Sequence, residues 1–135
     1  AVDIPVIANG DIVDAATARQ ALDQSGAHGV MIGRGAQGKP WLLAEVAHAL
    51  YGTPAPDIPR GDAFAGMVMD HYDAMLQFYG DLLGLRVARK HLGWFMDTAG
   101  TPADLRRAVL TAKTPKATID LLPRALCPET GMAAA

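Results

Sequence analysis

Two loops of this chain have the composition of an anion site. Asn9-Gly10-Asp11 follows the apolar run Ile4 to Ala8, and Gly33-Arg34-Gly35 follows the apolar run Gly29 to Ile32. Glycine lets the main chain come close to a phosphate, so that backbone N–H groups can donate to it. Arg34 adds a bidentate, charge-assisted contact. Asn9 and Asp11 suit the hydroxyls of a ribityl or ribose chain. Ordinary turn chemistry is the alternative open at this point, with Gly10 and Gly35 as turn glycines and Arg34 paired to a surface acid.

The loops imply the elements that carry them. Ile4–Ala8 and Gly29–Ile32 are short and apolar, as strands buried on both faces of a parallel sheet are. Between them, Asp14 caps a helix running to about Ser25, with Ala18, Ala21 and Leu22 inward, and Gly26 stops it. Lys39-Pro40-Trp41 opens a second helix that ends near Tyr51-Gly52. Strand, loop, helix, repeated with polar residues at the carboxyl ends of the strands, is the grammar of a barrel of alternating strands and helices. Two such strands leave open edges. Residues 1–52 are therefore expected to swap, to pair with another copy or to become partly irregular.

Residues 53–61 (Thr-Pro-Ala-Pro-Asp-Ile-Pro-Arg-Gly) form a proline-rich linker, and 62–126 reads as helical throughout. Phe64, Met67, Val68, His71, Met75 and Phe78 share one helix face; Gly80 and Gly84 bracket a turn; Leu85, Ala88, Leu92, Phe95 and Met96 share the next face. Arg86, Lys90 and Gly93 lie on another side of that helix. Thr101-Pro102 and Thr114-Pro115 each read as a cap followed by a first helical residue, with Leu105 and Val109, then Ile119 and Leu122, buried after them. The stretch 127–135 reads as a frayed tail.

The chain is 135 residues long, half apolar, with a net charge of −2. That charge is unevenly spread: residues 1–85 carry 4 basic and 10 acidic side chains, residues 86–135 carry 8 and 4. A basic second half is a hint of a polyanion-binding face. The single cysteine, Cys127, excludes an internal disulfide and fits a reducing, cytoplasmic setting. No apolar run has membrane-spanning length, and no His, Cys or acid spacing matches a metal site. His28, at the amino end of the second strand, is on the stability side of a barrel, and Trp41 reads as a packing residue.

Three phrases carry a resemblance: Pro5 to Asp11, Gly26 to Trp41, and Arg89-Lys90-His91-Leu92-Gly93-Trp94-Phe95. In this order they resemble the C-terminal part of the bacterial tRNA-dihydrouridine synthases of the NifR3-like subgroup. The resemblance runs to about Leu126 but covers only the back part of the family's length. It implies an α/β fold, the last two strand–helix units of a flavin-binding TIM barrel, followed by an all-α helical bundle. It implies reduction of uridine to 5,6-dihydrouridine in tRNA, with FMN as cofactor and NADPH (or NADH) as reductant. Asn9, Gly10 and Asp11 match the family's flavin loop after the seventh strand; Gly33 and Arg34 match its phosphate loop after the eighth. The family's catalytic acid, a cysteine in the front half of the barrel, has no counterpart here, and Cys127 does not match it. The chain on its own is thus expected to be inactive.

The helical part resembles the family's tRNA-binding domain, which pairs with the barrel around a basic cleft. On that basis Arg86, Arg89 and Lys90 are the first candidates for RNA phosphates, extended by His91, Arg106, Arg107, Lys113 and Lys116, with only one of Arg106 and Arg107 facing outward. Phosphate contacts of this kind position RNA without reading its sequence. Two other readings remain: an RNA-binding or interaction module without enzyme activity, and the end of another FMN barrel acting on a small molecule.

Overall fold

The structure is a computed structural model that describes residues 2–127. The chain divides into two compact units, residues 1–58 and residues 59 onward. The tail residues 128–135 lie outside the described residues.

In the first unit, strand β1 (Ile7–Asn9) leads to helix α1 (Ala15–Ser25), strand β2 (Gly29–Met31), a single 3-10 turn (Arg34–Ala36) and helix α2 (Leu42–Tyr51). The strands are parallel, with Ile7 opposite Gly29, Ala8 opposite Val30 and Asn9 opposite Met31. His28 extends the ladder by one step: its N–H donates to the Val6 carbonyl at 2.8 Å, and the Val6 N–H donates to its Nδ1 at 3.1 Å. His28 is thus a strand-aligning residue.

Helix α1 starts where its chemistry dictates. Asp14 accepts from the Thr17 N–H at 2.7 Å, and the Thr17 hydroxyl accepts from the Asp14 N–H, a reciprocal capping box. These bonds hold the Asp14 carboxyl below its ordinary pKa, the Thr17 backbone bond first. Gly26 ends the helix in the left-handed conformation, φ 64°. Ile12, Ala18, Leu42 and Val46 form the core, with Ala21, Val30, Ile32 and Leu50 around them.

The described residues hold the two expected strands, paired in one sheet, with no closed barrel among them. Three expectations for this unit are corrected. Its strands are shorter and shifted, and not buried on both faces: Ile7 is 55% and Met31 54% exposed, since each strand has only the other to pair with. They are nevertheless regular and in register, not irregular. Helix α2 begins at Leu42, because Lys39 to Trp41 form a preceding turn in which the Leu42 N–H donates to the Lys39 carbonyl.

The second unit is built on α3 (Gly61–Ala99), α4 (Ala103–Thr111) and α5 (Pro115–Leu126). Gly80 interrupts α3 with φ 73° and ψ 161°, a conformation open to glycine alone. The two limbs on either side fold back on each other as a helical hairpin. Phe64 meets Phe95 edge to face at 6.0 Å, His71 meets His91 at 5.6 Å, and a Cβ on Gly84 would lie 3.0 Å from Leu76 Cα. The core is a run of spaced apolar residues on both limbs: Ala65, Val68, Tyr72 and Met75 on the first, Leu85, Ala88, Leu92 and Met96 on the second.

The turn is therefore at Gly80 alone; Gly84 is helical and sits where the limbs approach closely, 3.0 Å from Leu76 Cα to a Cβ built on it. Phe78, placed on the inner face from sequence, is 81% exposed beside the turn, and Tyr72 takes the fully buried position. Helix α5 has the expected Thr114 cap, whose hydroxyl accepts from the Ala117 N–H at 3.2 Å, and Pro115 at its first turn. Helix α4 differs: Pro102 is its cap residue, and Thr101 instead donates to the Ala125 carbonyl, tying the start of α4 to the end of α5. Val109 and Leu122 are buried; Leu105 and Ile119 are half-buried.

Candidate functional site

The loops after β1 and β2 converge. Asn9, Gly10, Asp11, Ile12 and Val13 from the first, with Gly33, Arg34 and Gly35 from the second, line one open depression of ≈ 710 Å³ at the carboxyl ends of the two strands. All five residues expected to bind cofactor are among them. Gly10 has φ 149° and Asp11 the left-handed φ 47°, a conformation that aspartate tolerates better than most residues. The backbone thereby turns sharply away and leaves the rim free of side chains at Gly10, where a Cβ would meet nothing within 4 Å.

Arg34 reaches across the depression to Asp11, Nη2 to Oδ1 at 2.9 Å. Both side chains are more than four-fifths exposed, so the pair is worth at most about 1 kcal/mol. Arg34 is therefore held across the depression by a weak, solvent-exposed contact. Of the alternatives read from sequence, the pairing of Arg34 with a surface acid, Asp11, is the one seen here. Gly33 opens the 3-10 turn, whose first N–H groups have no partner within the turn itself.

Sequence reasoning passed over the constraint that holds the two loops together. Gly35, read as a turn glycine, sits against the first loop: a Cβ there would lie 2.1 Å from the Ile12 carbonyl oxygen. A glycine two residues after another in a strand-terminal loop is a visible signal, but its packing partner is not.

On the second unit, the basic residues fall into two groups. Arg86, Lys90, Arg107, Lys113 and Lys116 are exposed. Lys90 lies over the Trp94 ring, Nζ 5.9 Å from the centroid, and Lys116 pairs with Asp120 one turn away at 2.8 Å. Arg89 and Arg106 are used inside the domain. Arg89 is half-buried, and its Nη2 donates to the Ala112 carbonyl, the C-cap of α4, at 3.3 Å. Arg106 donates to the Gly93 carbonyl at 2.7 Å and pairs with Asp97, also at 2.7 Å. Gly93, expected to let RNA approach, is buried beneath that guanidinium: a Cβ there would lie 3.2 Å from Arg106 Nη2. Of the adjacent arginines, Arg107 is the one facing solvent.

His91 is half-buried at the junction of the limbs, against His71 and Trp94. Burial first, then the like charges of His71 and Lys90, hold its pKa below the ordinary histidine range. Cys127 is half-buried, its thiol directed at Asp62 at 3.9 Å, and burial followed by the Asp62 charge pushes it up. Such a thiol is a poor nucleophile. Among the described residues no group of three or more His, Cys, Asp or Glu side chains could hold a metal, and no helix is long and apolar enough to cross a membrane.

The family model for dihydrouridine synthase (Dus) matches residues 1–129. The chain belongs to the dihydrouridine synthase family. Among its relatives, a probable tRNA-dihydrouridine synthase of Rhodobacter capsulatus is 57% identical over 122 residues, 90% of this chain and 37% of that protein. A probable tRNA-dihydrouridine synthase of Rickettsia bellii is 43% identical over 120 residues, covering 89% and 37%. The tRNA-dihydrouridine synthase B of Vibrio cholerae is 42% identical over 123 residues, covering 90% and 38%. The chain thus spans little more than a third of the length of these dihydrouridine synthases.

Proposed function

We propose that this chain carries part of the flavin site and the RNA-docking domain of an FMN-dependent tRNA-dihydrouridine synthase. The observation that carries the reading is the convergence of Asn9, Gly10, Asp11, Gly33 and Arg34 on one depression at the carboxyl ends of two parallel strands. Ligand sites of strand–helix barrels lie at that end, with phosphate held by the last strand loops. The residues fit the phosphate and ribityl end of FMN: a side-chain-free rim at Gly10, a turn whose first N–H groups have no partner within it, and one solvent-exposed cation. Arg34 would hold the phosphate, and Asn9 and Asp11 would hold ribityl hydroxyls.

Bound FMN, recharged by NADPH or NADH, would supply the hydride for C6 of uridine. No residue of this chain is assigned to protonating C5. What the chain contributes is holding and orienting: one end of the cofactor in the first unit, and tRNA phosphates in the second. Of the eight candidate RNA residues, the exposed Arg86, Lys90, Arg107, Lys113 and Lys116 suit direct contact, with His91 beside Lys90. Arg89 and Arg106 hold α4 against α3 and so position the others.

Deleting the gene and analysing tRNA by mass spectrometry tests the activity: dihydrouridine is lost at one or more positions and returns with the wild-type gene. An Arg34→Ala gene restores it poorly, and the purified Arg34→Ala protein binds FMN at least tenfold more weakly, the scale of a lost charge-assisted contact of about 1.5–3 kcal/mol. Unchanged tRNA in the deletion strain refutes the reading.

A further inference from the structure

One side of the helical hairpin carries a connected group of imidazole, indole and ammonium side chains. His71 of the first limb and His91 of the second meet edge to face at 5.6 Å. His91 meets Trp94 in the same way at 5.1 Å, and Lys90 covers the Trp94 ring. The carboxylates near them in sequence are engaged elsewhere: Asp73 accepts from the Gln77 amide, and Asp97 pairs with Arg106. Asp70 is adjacent to His71 and so about 100° round the helix from it. The charged and titratable groups that act on His91 are His71 from the opposite limb and Lys90 from its own. Both repel its protonated form.

Among the described residues no carboxylate pairs with Lys90, His91 or His71. Left empty, the site disfavours the protonated form of His91. An anion beside Lys90 offsets the repulsion from both neighbours, and the imidazole then gains by taking a proton, because an imidazolium donates a charge-assisted hydrogen bond where a neutral ring gives a weaker one.

We propose that Lys90, His91 and His71 form a docking site for one RNA phosphate, and that RNA binds there with uptake of a proton by the His91 imidazole. The proposal rests on the reading of the second unit as RNA-docking. The proton comes from solvent and ends on the ring nitrogen; no other bond forms or breaks.

The test measures binding of an unmodified tRNA transcript to the 135-residue chain by fluorescence anisotropy at pH 8 and pH 6, at fixed ionic strength. Uptake of one proton makes binding about five- to tenfold tighter at pH 6 than at pH 8. His91→Gln flattens that dependence. An NMR titration of the wild-type imidazoles, free and RNA-bound, reads the same event without a substitution: the His91 midpoint rises on binding. Affinity independent of pH, a slope kept in His91→Gln, or an unmoved His91 midpoint each overturns the proposal and leaves RNA docking intact. No tRNA binding at either pH overturns the docking reading itself.

Discussion

Replacing Gly35 by alanine asks whether the two loops of the depression are locked together. The added Cβ lands 2.1 Å from the Ile12 carbonyl oxygen and 3.1 Å from both the Ile12 carbonyl carbon and Val13 Cα. Comfortable contact between non-bonded heavy atoms is roughly 3.5 Å, so the main chains must part by an ångström or more. No rotamer can relieve this, since the groups struck are backbone. Ile12 is a core residue, 3% exposed and packed with Ala18, Leu42 and Val46, and Val13 donates to Thr17 in the cap of α1. The displacement therefore spreads into both. Overpacking costs about 1–3 kcal/mol where side chains can yield; here the upper end applies, about 3 kcal/mol, a large share of what so small a unit can possess. The assay is urea unfolding followed by tryptophan fluorescence, for Trp41 and Trp94 fall one in each unit. In a Trp94→Phe background, Gly35→Ala lowers the Trp41 midpoint by more than about 1 M. In a Trp41→Phe background, Gly66→Ala is the contrasting change: this helical glycine is exposed, with nothing within 4 Å of a Cβ, and the substitution raises the stability read at Trp94 by about 0.5–1 kcal/mol. An unchanged Trp41 midpoint in Gly35→Ala would refute the close approach and, with it, the rigidity of the depression.

Two further predictions concern the second unit. The Tyr72 hydroxyl is buried without a full hydrogen-bond partner; desolvation pushes its pKa up, more than the nearby Thr118 hydroxyl lowers it. Its contribution to stability is complete below the unfolded tyrosine pKa near 10 and is lost as pH rises through the raised folded value, so unfolding midpoints fall at alkaline pH in wild type and fall less in Tyr72→Phe, which is also up to about 1 kcal/mol more stable at pH 7. Thr114→Ala removes the α5 cap and costs about 1 kcal/mol by urea unfolding; no change would show that packing of α5 on α3 fixes the helix start unaided.

The elements that were legible from sequence are those whose signals are local. The Asp14 cap, the Gly26 stop and the Thr114-Pro115 start each depend on residues within one helical turn, and each is found where it was expected. The core face of the second limb was equally plain, because Leu85, Ala88, Leu92, Phe95 and Met96 repeat at helical spacing. What could not be read depends on partners far along the chain. Phe78 and Tyr72 are both aromatic and both helical; which one is buried is decided by where the opposite limb crosses, and that follows from a turn at Gly80 alone instead of one running from Gly80 to Gly84. Arg89 and Arg106 look like surface cations until the C-cap of α4 and the carbonyl of Gly93 are seen to lie within their reach. The strands were over-extended because the apolar run Ile4 to Ala8 reports what a full sheet would bury, while only Ile7 to Asn9 finds a paired strand here. In the depression, Asn9 to Asp11 and Gly33-Arg34 stood out by type and spacing, whereas the role of Gly35 appears only once Ile12 is beside it.

The single-residue turn at Gly80 also sets an order of events along the chain. Its two limbs meet through contacts that start next to the turn and step outward to Phe64 and Phe95, so each new contact closes a loop only slightly larger than the last. Such zippering has little entropy to overcome at any step and belongs to the local-contact class of folds that form in microseconds to milliseconds. The parallel pair β1–β2 has no such start, because its first hydrogen bond must already span α1. Changes beside Gly80 therefore slow the folding of the hairpin, while changes at its open end, around Phe64 and Phe95, chiefly hasten its unfolding.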